Sequence, residues 1–416
     1  STGSTGAKIP KGLESFYHQK LTWTDCPDGA TGTAFQCATV TVPLDYDNPQ
    51  GQTITVALKK LSSTSSSPRG SVFLNPGGPG GSGISAIESQ AELYKSGDLS
   101  EVLANYDVIG FDPRGIGQST PITCWTPEDV QAILAGQAEM PSLSTPGSAA
   151  DIVAQGSHKA AACEEHTEVP EILDHMDTRS VARDMDVMRA LVGDKDLNYH
   201  GASYGTYLGA TYAELFPANT GRLVLDGAVD PSLSLGDRAS GQAQGFETAL
   251  RTYVQQCQSG QAVQEGQSCP LTGDADAGVQ QVRTLISSAD QTPLKTSDPN
   301  VTVDGSTIRS VVRRFLYTSE YWSFLTYALD QAITQKDGSY IQVLYGKVTA
   351  GGSAPTFYAV NCLDIPVQGD MTSWEKEYQQ ILQSSPTFGA SLGNQDARCQ
   401  AWGHNGTRKP APIHAK

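Results

Sequence analysis

The sequence predicts an α/β fold in which a mostly parallel sheet carries an inserted helical cap. Three observations support this prediction. Over residues 1–230, short apolar runs of strand length alternate with stretches of helical periodicity, as in sheets whose parallel strands are joined by helices. One of these strands passes directly into a helix through a Gly-x-Ser-x-Gly pentapeptide. From Pro231 onward, helix-like segments continue without comparable strands.

The first half of the chain supplies six candidate strands. Residues 37–43 and 53–58 alternate β-branched with other residues on either side of an Asn-Pro-Gln-Gly turn, which predicts a hairpin. Four further apolar runs follow, at residues 71–75, 106–112, 197–200 and 222–227. In a parallel sheet of this kind the functional site is expected at the carboxyl ends of the strands.

The pentapeptide between residues 201 and 205 has the spacing of a nucleophile elbow. A serine on a sharp strand-to-helix turn has a strained backbone and an exposed Oγ, and the small residues Gly201 and Gly205 let strand and helix pass closely. The amide of Tyr204, at the positive end of the next helix, would face a developing oxyanion. A glycine-rich surface turn is the alternative, but the flanking strand and helix favour Ser203 as a nucleophile.

A glycine-dense loop follows the strand at residues 71–75, with the sequence Pro76-Gly77-Gly78-Pro79-Gly80-Gly81-Ser82-Gly83. In folds with this elbow, the loop after the third strand supplies a second amide to the oxyanion, and glycine lets the backbone approach the substrate. Gly78 is predicted to supply that amide. A flexible linker or a phosphate-binding loop is the alternative, although no Gly-Lys-Ser/Thr follows.

Composition and charge exclude several classes of function. The formal net charge of −16 over 416 residues argues against nucleic-acid binding, which needs clustered Lys and Arg. No apolar run approaches the length of a bilayer span, so no membrane partner is expected. No metal-binding Cys-x-x-Cys spacing occurs, and we expect neither a metal site nor a cofactor.

Eight cysteines indicate an oxidised, secreted protein. They lie as near neighbours along the chain, which suggests sequential disulfides, although eight cysteines allow 105 connectivities. The suggested pairs are Cys26 with Cys37, Cys124 with Cys163, Cys257 with Cys269, and Cys362 with Cys399.

Three motifs in order resemble the secreted tripeptidyl aminopeptidases of actinomycetes, within the proline iminopeptidase group of α/β-hydrolases. They are the glycine loop after Asn75, the run Gly-Phe-Asp-Pro-Arg-Gly at residues 110–115, and the elbow around Ser203. The resemblance implies a serine exopeptidase that removes short peptides, usually tripeptides, from free N-termini. Ser203 would form the acyl-enzyme, Gly78 and Tyr204 would bind the oxyanion, and a cap would limit access.

The same resemblance predicts how the chain is divided. Residues 1–230 would form the first part of the core, residues 231–408 a mainly helical cap, and residues 409–416 the start of the return to the core. The family's catalytic Asp and His follow the cap, so neither is expected in this chain, and the final core strands would also be missing. A separate C-terminal fragment is therefore expected to complete the core.

Residues that are present could substitute for the missing groups. Asp364 and His404 follow Ser203 in the order that this fold uses, but both lie in the predicted cap. His200 precedes Ser203 by three residues on its own strand, where a structural role is the better interpretation. Glu320 and Asp364 are candidates for binding a substrate ammonium group. Two other functions stay open: an esterase of the same fold, and an inactive fragment that binds peptide without cutting it.

Overall fold

The computed structural model describes residues 8–27, 35–134, 146–156, 160–350 and 354–415. A seven-stranded mixed sheet lies at its centre, formed by β1 (Thr24–Asp25), β2 (Phe35–Pro43), β3 (Thr53–Leu61), β4 (Ser71–Asn75), β5 (Asp107–Phe111), β6 (Leu197–Ala202) and β7 (Thr220–Asp226). The strand order is β1-β2-β3-β5-β4-β6-β7. The six strands predicted from the sequence correspond to β2 through β7.

The sheet is antiparallel at one end and parallel at the other. β2 and β3 form the predicted hairpin, and β3 is also antiparallel to β5. From β5 through β4 and β6 to β7, every pairing is parallel. Because the register sets Asn75 of β4 opposite Gly201 of β6, the glycine loop and the elbow leave the sheet side by side.

Helices cover both faces of this sheet. Those that precede β7 are α1 (Glu14–Tyr17), α2 (Gly83–Lys95), α3 (Ser100–Asn105), α4 (Pro127–Leu134), α5 (Ala149–Gly156), α6 (Ala161–His166), α7 (Thr178–Leu191) and α8 (Tyr204–Leu215), with 3-10 turns at Pro170–Asp174 and Pro217–Asn219. Successive strand residues point to opposite faces. Phe73 accordingly packs in the cluster that contains Met185 of α7, whereas Leu74 packs in the cluster that contains Ile87 of α2.

The chain after β7 is mainly helical in its described residues. Its helices are α9 (Leu235–Gln258), α10 (Ala275–Gln291), α11 (Gly305–Phe315), α12 (Trp322–Thr334), α13 (Ser339–Ala350), α14 (Ala354–Asp364), α15 (Met371–Ser384), α16 (Gly389–Leu392) and α17 (Gln395–Trp402), with a 3-10 turn at Ser319–Tyr321. The short strands β8 (Leu294–Lys295) and β9 (Thr302–Val303) pair antiparallel. Most of these helices share a hydrophobic cluster of their own, but Tyr358 of α14 and Trp402 of α17 pack into the core of the sheet domain.

All four suggested disulfides are confirmed. Cys26 is bonded to Cys37, Cys124 to Cys163, Cys257 to Cys269 and Cys362 to Cys399. The last of these ties α14 to α17, the two helices that pack into the core of the sheet domain. Among the described residues, no helix has the length and hydropathy needed to cross a membrane.

The strand β7 has one open side. It is hydrogen-bonded to β6, and within the described ranges no strand pairs with its other edge. Val224 and Leu225 of this strand are 58% and 37% exposed, although they lie in a strand of the central sheet. An unpaired edge with exposed apolar side chains is a surface onto which another strand can add.

Candidate active site

Ser203 lies between β6 and α8 in a backbone conformation that side chains rarely adopt. Its φ is 54° and its ψ is −117°. The turn is held in this shape because the Ser203 amide donates to the Asp226 carbonyl at the end of β7, at 2.8 Å. A strained residue between a parallel strand and a helix N-terminus is the geometry that the elbow motif predicts.

The two glycines of the elbow stand where any side chain would collide. A Cβ on Gly205 would lie 2.7 Å from the carbonyl oxygen of Asn75, and a Cβ on Gly201 would meet the carbonyl oxygen of Gly205. The Tyr199 hydroxyl donates to that same Gly205 carbonyl at 2.6 Å. Small residues at both positions therefore let β6, α8 and the end of β4 approach closely.

The glycine loop lies directly against the elbow. A Cβ on Gly77 would lie 2.7 Å from the Ala202 carbonyl oxygen and 3.3 Å from the Cβ of Ser203. The Gly77 amide donates to the Asn75 side chain at 2.9 Å, so the next amide along, that of Gly78, is the better candidate for a ligand. Gly78 has φ of 118°, which glycine adopts without strain.

Two backbone amides could thus meet negative charge beside Ser203. Tyr204 begins α8, and the first amides of a helix have no acceptor within the helix and lie at its positive end. Together with Gly78, it would give the arrangement that stabilises the oxyanion of acyl transfer.

The substitute residues suggested by the sequence do not form a triad. His404 Nδ1 lies 2.7 Å from Asp174 Oδ1 and its Nε2 lies 2.8 Å from Glu164 Oε1, so both ring nitrogens are engaged with carboxylates. Burial lowers the pKa of His404, but the hydrogen bonds to Asp174 and Glu164 outweigh it and the net pKa is raised. His404 is therefore a link between the end of α17, α6 and the turn at Pro170–Asp174.

Asp364 is engaged elsewhere as well. Its Oδ1 accepts from the Thr178 amide at 2.8 Å and its Oδ2 accepts from Thr178 Oγ1 at 2.5 Å. Thr178 Oγ1 is in turn hydrogen-bonded to the Tyr204 hydroxyl. Burial raises the pKa of the Asp364 carboxyl to about 7, even though the Thr178 hydrogen bonds oppose the shift. Thr178 gave no signal in the sequence, because 186 residues separate it from Asp364.

The remaining candidates are placed away from the reacting turn. The register of β6 sets His200 beside Leu74 and Val224, on a face of the sheet rather than at the strand end. Glu320 is exposed in the 3-10 turn Ser319–Tyr321. No group of three or more His, Cys, Asp or Glu side chains in the described part of the chain is placed to hold a metal ion.

Arg114, in the motif at residues 110–115, forms a buried structural ion pair. Its Nε and Nη2 donate to both carboxylate oxygens of Asp184 in α7, at 2.8 and 2.7 Å. The same guanidinium donates to the carbonyls of Pro43 and Leu44 at the end of β2. The pair therefore joins the loop after β5 to α7 and β2.

Comparisons with known proteins identify a family and several relatives. A model of the alpha/beta hydrolase fold matches residues 70–268. The chain is 41% identical over 221 residues to the tripeptidyl aminopeptidase of Streptomyces coelicolor, an alignment that covers 51% of this chain and 38% of that protein. The chain thus spans less than half the length of that relative.

Two mycobacterial relatives align over nearly the whole chain. The serine protease Hip1 of Mycobacterium tuberculosis is 28% identical, with 95% of this chain and 77% of that protein covered. A protein of the same organism named carboxylesterase B is 32% identical, with 94% of this chain and 75% of that protein covered.

Proposed function

Because the chain belongs to the α/β-hydrolase family, we propose that it carries the nucleophile of a serine exopeptidase that releases short peptides, tripeptides above all, from free N-termini. The observation that carries this proposal is the strained Ser203 between β6 and α8, with the glycine loop in contact with its backbone. The names of the Streptomyces and Hip1 relatives support a peptidase over other hydrolases of this fold.

The reaction would run through an acyl-enzyme. A general base takes the Ser203 hydroxyl proton while Oγ attacks the scissile carbonyl carbon, and the amides of Gly78 and Tyr204 stabilise the resulting oxyanion. When the intermediate collapses, the carbon–nitrogen bond breaks and the base returns its proton to the departing amine. Water then attacks the acyl group by the same route and releases the short peptide.

We assign the base and its acid, a His and an Asp, to polypeptide that pairs with the open edge of β7. Neither His404 nor His200 is placed to serve Ser203, and a serine without a base is a weak nucleophile. A strand added to β7 would lie about 4.8 Å from it. Because Asp226 ends β7 and accepts from the Ser203 amide, the loop after an added strand would emerge beside the nucleophile. The resemblance of the sequence to aminopeptidases in which Asp and His follow the cap supports the same assignment.

An esterase of the same fold is the second candidate, favoured by the relative named carboxylesterase B. Three substrates separate the candidates: a tripeptide anilide with a free N-terminus, its N-acetyl derivative, and p-nitrophenyl butyrate. The exopeptidase cleaves the first and not the second, and Ser203→Ala abolishes the cleavage. Turnover of the ester alone would establish the esterase, and binding of the peptide without turnover would establish an inactive peptide-binding chain.

A further inference from the structure

We propose that Asp364 is a positioning residue for the turn that carries Ser203, acting through Thr178 on Tyr204. The proposal rests on the proposed function, since it assigns a role in the same reaction to a residue outside the elbow and the glycine loop. Asp364 does not touch Ser203. It acts on the first residue of α8, whose amide is assigned to the oxyanion.

The hydrogen bonds run in one direction along this chain of residues. An ionised Asp364 can only accept, so the Thr178 amide and hydroxyl both donate to it, at 2.8 and 2.5 Å. Because the Thr178 hydrogen is committed to Asp364, the Tyr204 hydroxyl must donate to Thr178 Oγ1. Thr178 is 1% exposed and Tyr204 is 7% exposed, so water has little access to the bond between their two hydroxyls.

These contacts fix the start of α8 relative to α7. Thr178 is the first residue of α7, and Tyr204 is the first residue of α8. Tyr204 is held at its hydroxyl by Thr178 and at its backbone by α8. The Tyr204 amide therefore has little freedom to move. Donors to an oxyanion act only when they are already placed, and displacements of about 1 Å cost large factors in rate.

The helix that ends at Asp364 also reaches the other oxyanion element. Thr356, near the start of α14, and the Phe357 amide lie against Gly80, where a Cβ would collide with the Thr356 side chain. Residues 356 and 364 are eight positions apart, about 12 Å along a helix. α14 therefore contacts the glycine loop at one end and, through Thr178, Tyr204 at the other.

The charge state of Asp364 should govern the contact. Burial, the hydrogen bonds from Thr178 and the charges of Asp177 and Arg238 together give Asp364 a pKa of about 7; burial and Asp177 raise the pKa, and Thr178 and Arg238 lower it. Protonation turns one carboxyl oxygen of Asp364 into a donor, so the carboxyl no longer accepts from both the amide and the hydroxyl of Thr178 as the carboxylate does. The positioning is therefore present above about pH 7 and is lost as the pH falls through that value. Among the described residues, the titratable groups around Asp364 are Asp177 just before α7, Arg179 of α7, Tyr204, Tyr207 and Glu214 of α8, Arg238 of α9, and Arg408 and Lys409.

The test compares three nearly isosteric variants with a matched control. Each is assayed together with any polypeptide that co-purifies with the chain. Asp364→Asn places an amide donor opposite a Thr178 donor. Thr178→Val removes the hydroxyl that donates to Asp364, and Tyr204→Phe removes the hydroxyl that donates to Thr178. Each is expected to lower kcat for a free tripeptide anilide about tenfold, with KM within about twofold. The control, Asp396→Asn, alters a buried carboxylate that accepts from the Gln368 amide in the cap, and should leave kcat unchanged.

Two further readouts distinguish positioning from a general loss of structure. Below about pH 7, log kcat of the wild type should fall with pH more steeply than the slope of 1 that a single base gives, whereas Asp364→Asn should restore a slope of 1. Thr178→Val combined with Tyr204→Phe should be no worse than Thr178→Val alone, because Thr178→Val already removes the bond between the two hydroxyls.

Hydrogen exchange at the Leu208 amide, which bonds to the Tyr204 carbonyl in the first turn of α8, reports on the contact without catalysis. It should accelerate about tenfold in Asp364→Asn and not in Asp396→Asn. If Asp364→Asn leaves kcat, the slope and this exchange rate at wild-type values, or if the control matches it, the inference is wrong. If the wild type cleaves no peptide yet the exchange responds, the proposed function fails and the positioning contact stands.

Discussion

A single methyl group at position 205 would disturb the turn that carries Ser203. A Cβ there would lie 2.7 Å from the Asn75 carbonyl oxygen, so either β4 or α8 must move. We expect Gly205→Ala to slow labelling of Ser203 by a fluorophosphonate about 100-fold. Gly241→Ala is the matched control, because it adds a methyl group in α9 with no atom within 4 Å and should leave labelling unchanged. Wild-type labelling of a folded Gly205→Ala protein would contradict the described elbow.

At the scale of residues, the sequence predicted what is local and missed what is distant. Gly201, Ser203 and Gly205 lie within five positions between a strand and a helix, so their spacing alone indicated a turn. The link from Asp364 to Tyr204 joins segments far apart in the chain, and no local pattern encodes it. Asp364 was accordingly considered only as a substitute acid or an ammonium ligand.

Between secondary-structure elements, the hydrogen bonds of His404 to Asp174 and Glu164 should make the stability of the folded protein depend on pH. Its folded pKa is raised above the usual value of about 6.5, so its contribution is fully present below that value and is lost as pH rises through the folded pKa. We expect the melting temperature of the wild type to fall, relative to that of His404→Gln, as pH rises from 5.5 to 8.5. Since Glu164 and Asp174 are more than half exposed, 1 M NaCl should reduce the difference. A difference that does not change with pH would rule out this role.

Strands and helices were more predictable than their packing. The six predicted strands correspond to β2 through β7, because each is a compact run of apolar or β-branched residues. The short pair β8 and β9 was missed, since two residues are too few for a periodicity to show. The contact of α14 with the glycine loop was missed as well, because it depends on where the cap lies.

For the whole molecule, the open edge of β7 predicts that the active protein contains polypeptide in addition to these 416 residues. Val224 and Leu225 are exposed on a strand that, in the described part of the chain, is paired on one side only, a state that favours aggregation unless a partner covers it. We expect the natively purified, active protein to show, by denaturing intact-mass measurement, polypeptide beyond the 44.1 kDa of the 416 residues. That polypeptide should contain an Asp and a His. Peptidase activity from a single species of 44.1 kDa would contradict the assignment of the base to a segment that pairs with β7.

The predicted division of the molecule at residues 230 and 408 follows a change in composition. The described helices after β7 agree with that change, yet α14 and α17 pack into the core cluster as well as against other cap helices. Composition marks where a segment of helices begins, but it does not show which of them contact the sheet. The division therefore stays a prediction. It bears on the candidate site because α14, in the predicted cap, contacts the glycine loop.

The central claim, that Ser203 is the nucleophile of an exopeptidase for free N-termini, is tested most directly by a covalent probe. A tripeptidyl diphenyl phosphonate with a free amine is compared with its N-acetyl counterpart, and the adduct is located by mass spectrometry of peptides. We expect an adduct on Ser203 with the free-amine probe and at least tenfold slower labelling with the acetylated one. An adduct on another residue, or equal labelling of Ser203 by both probes, would contradict it.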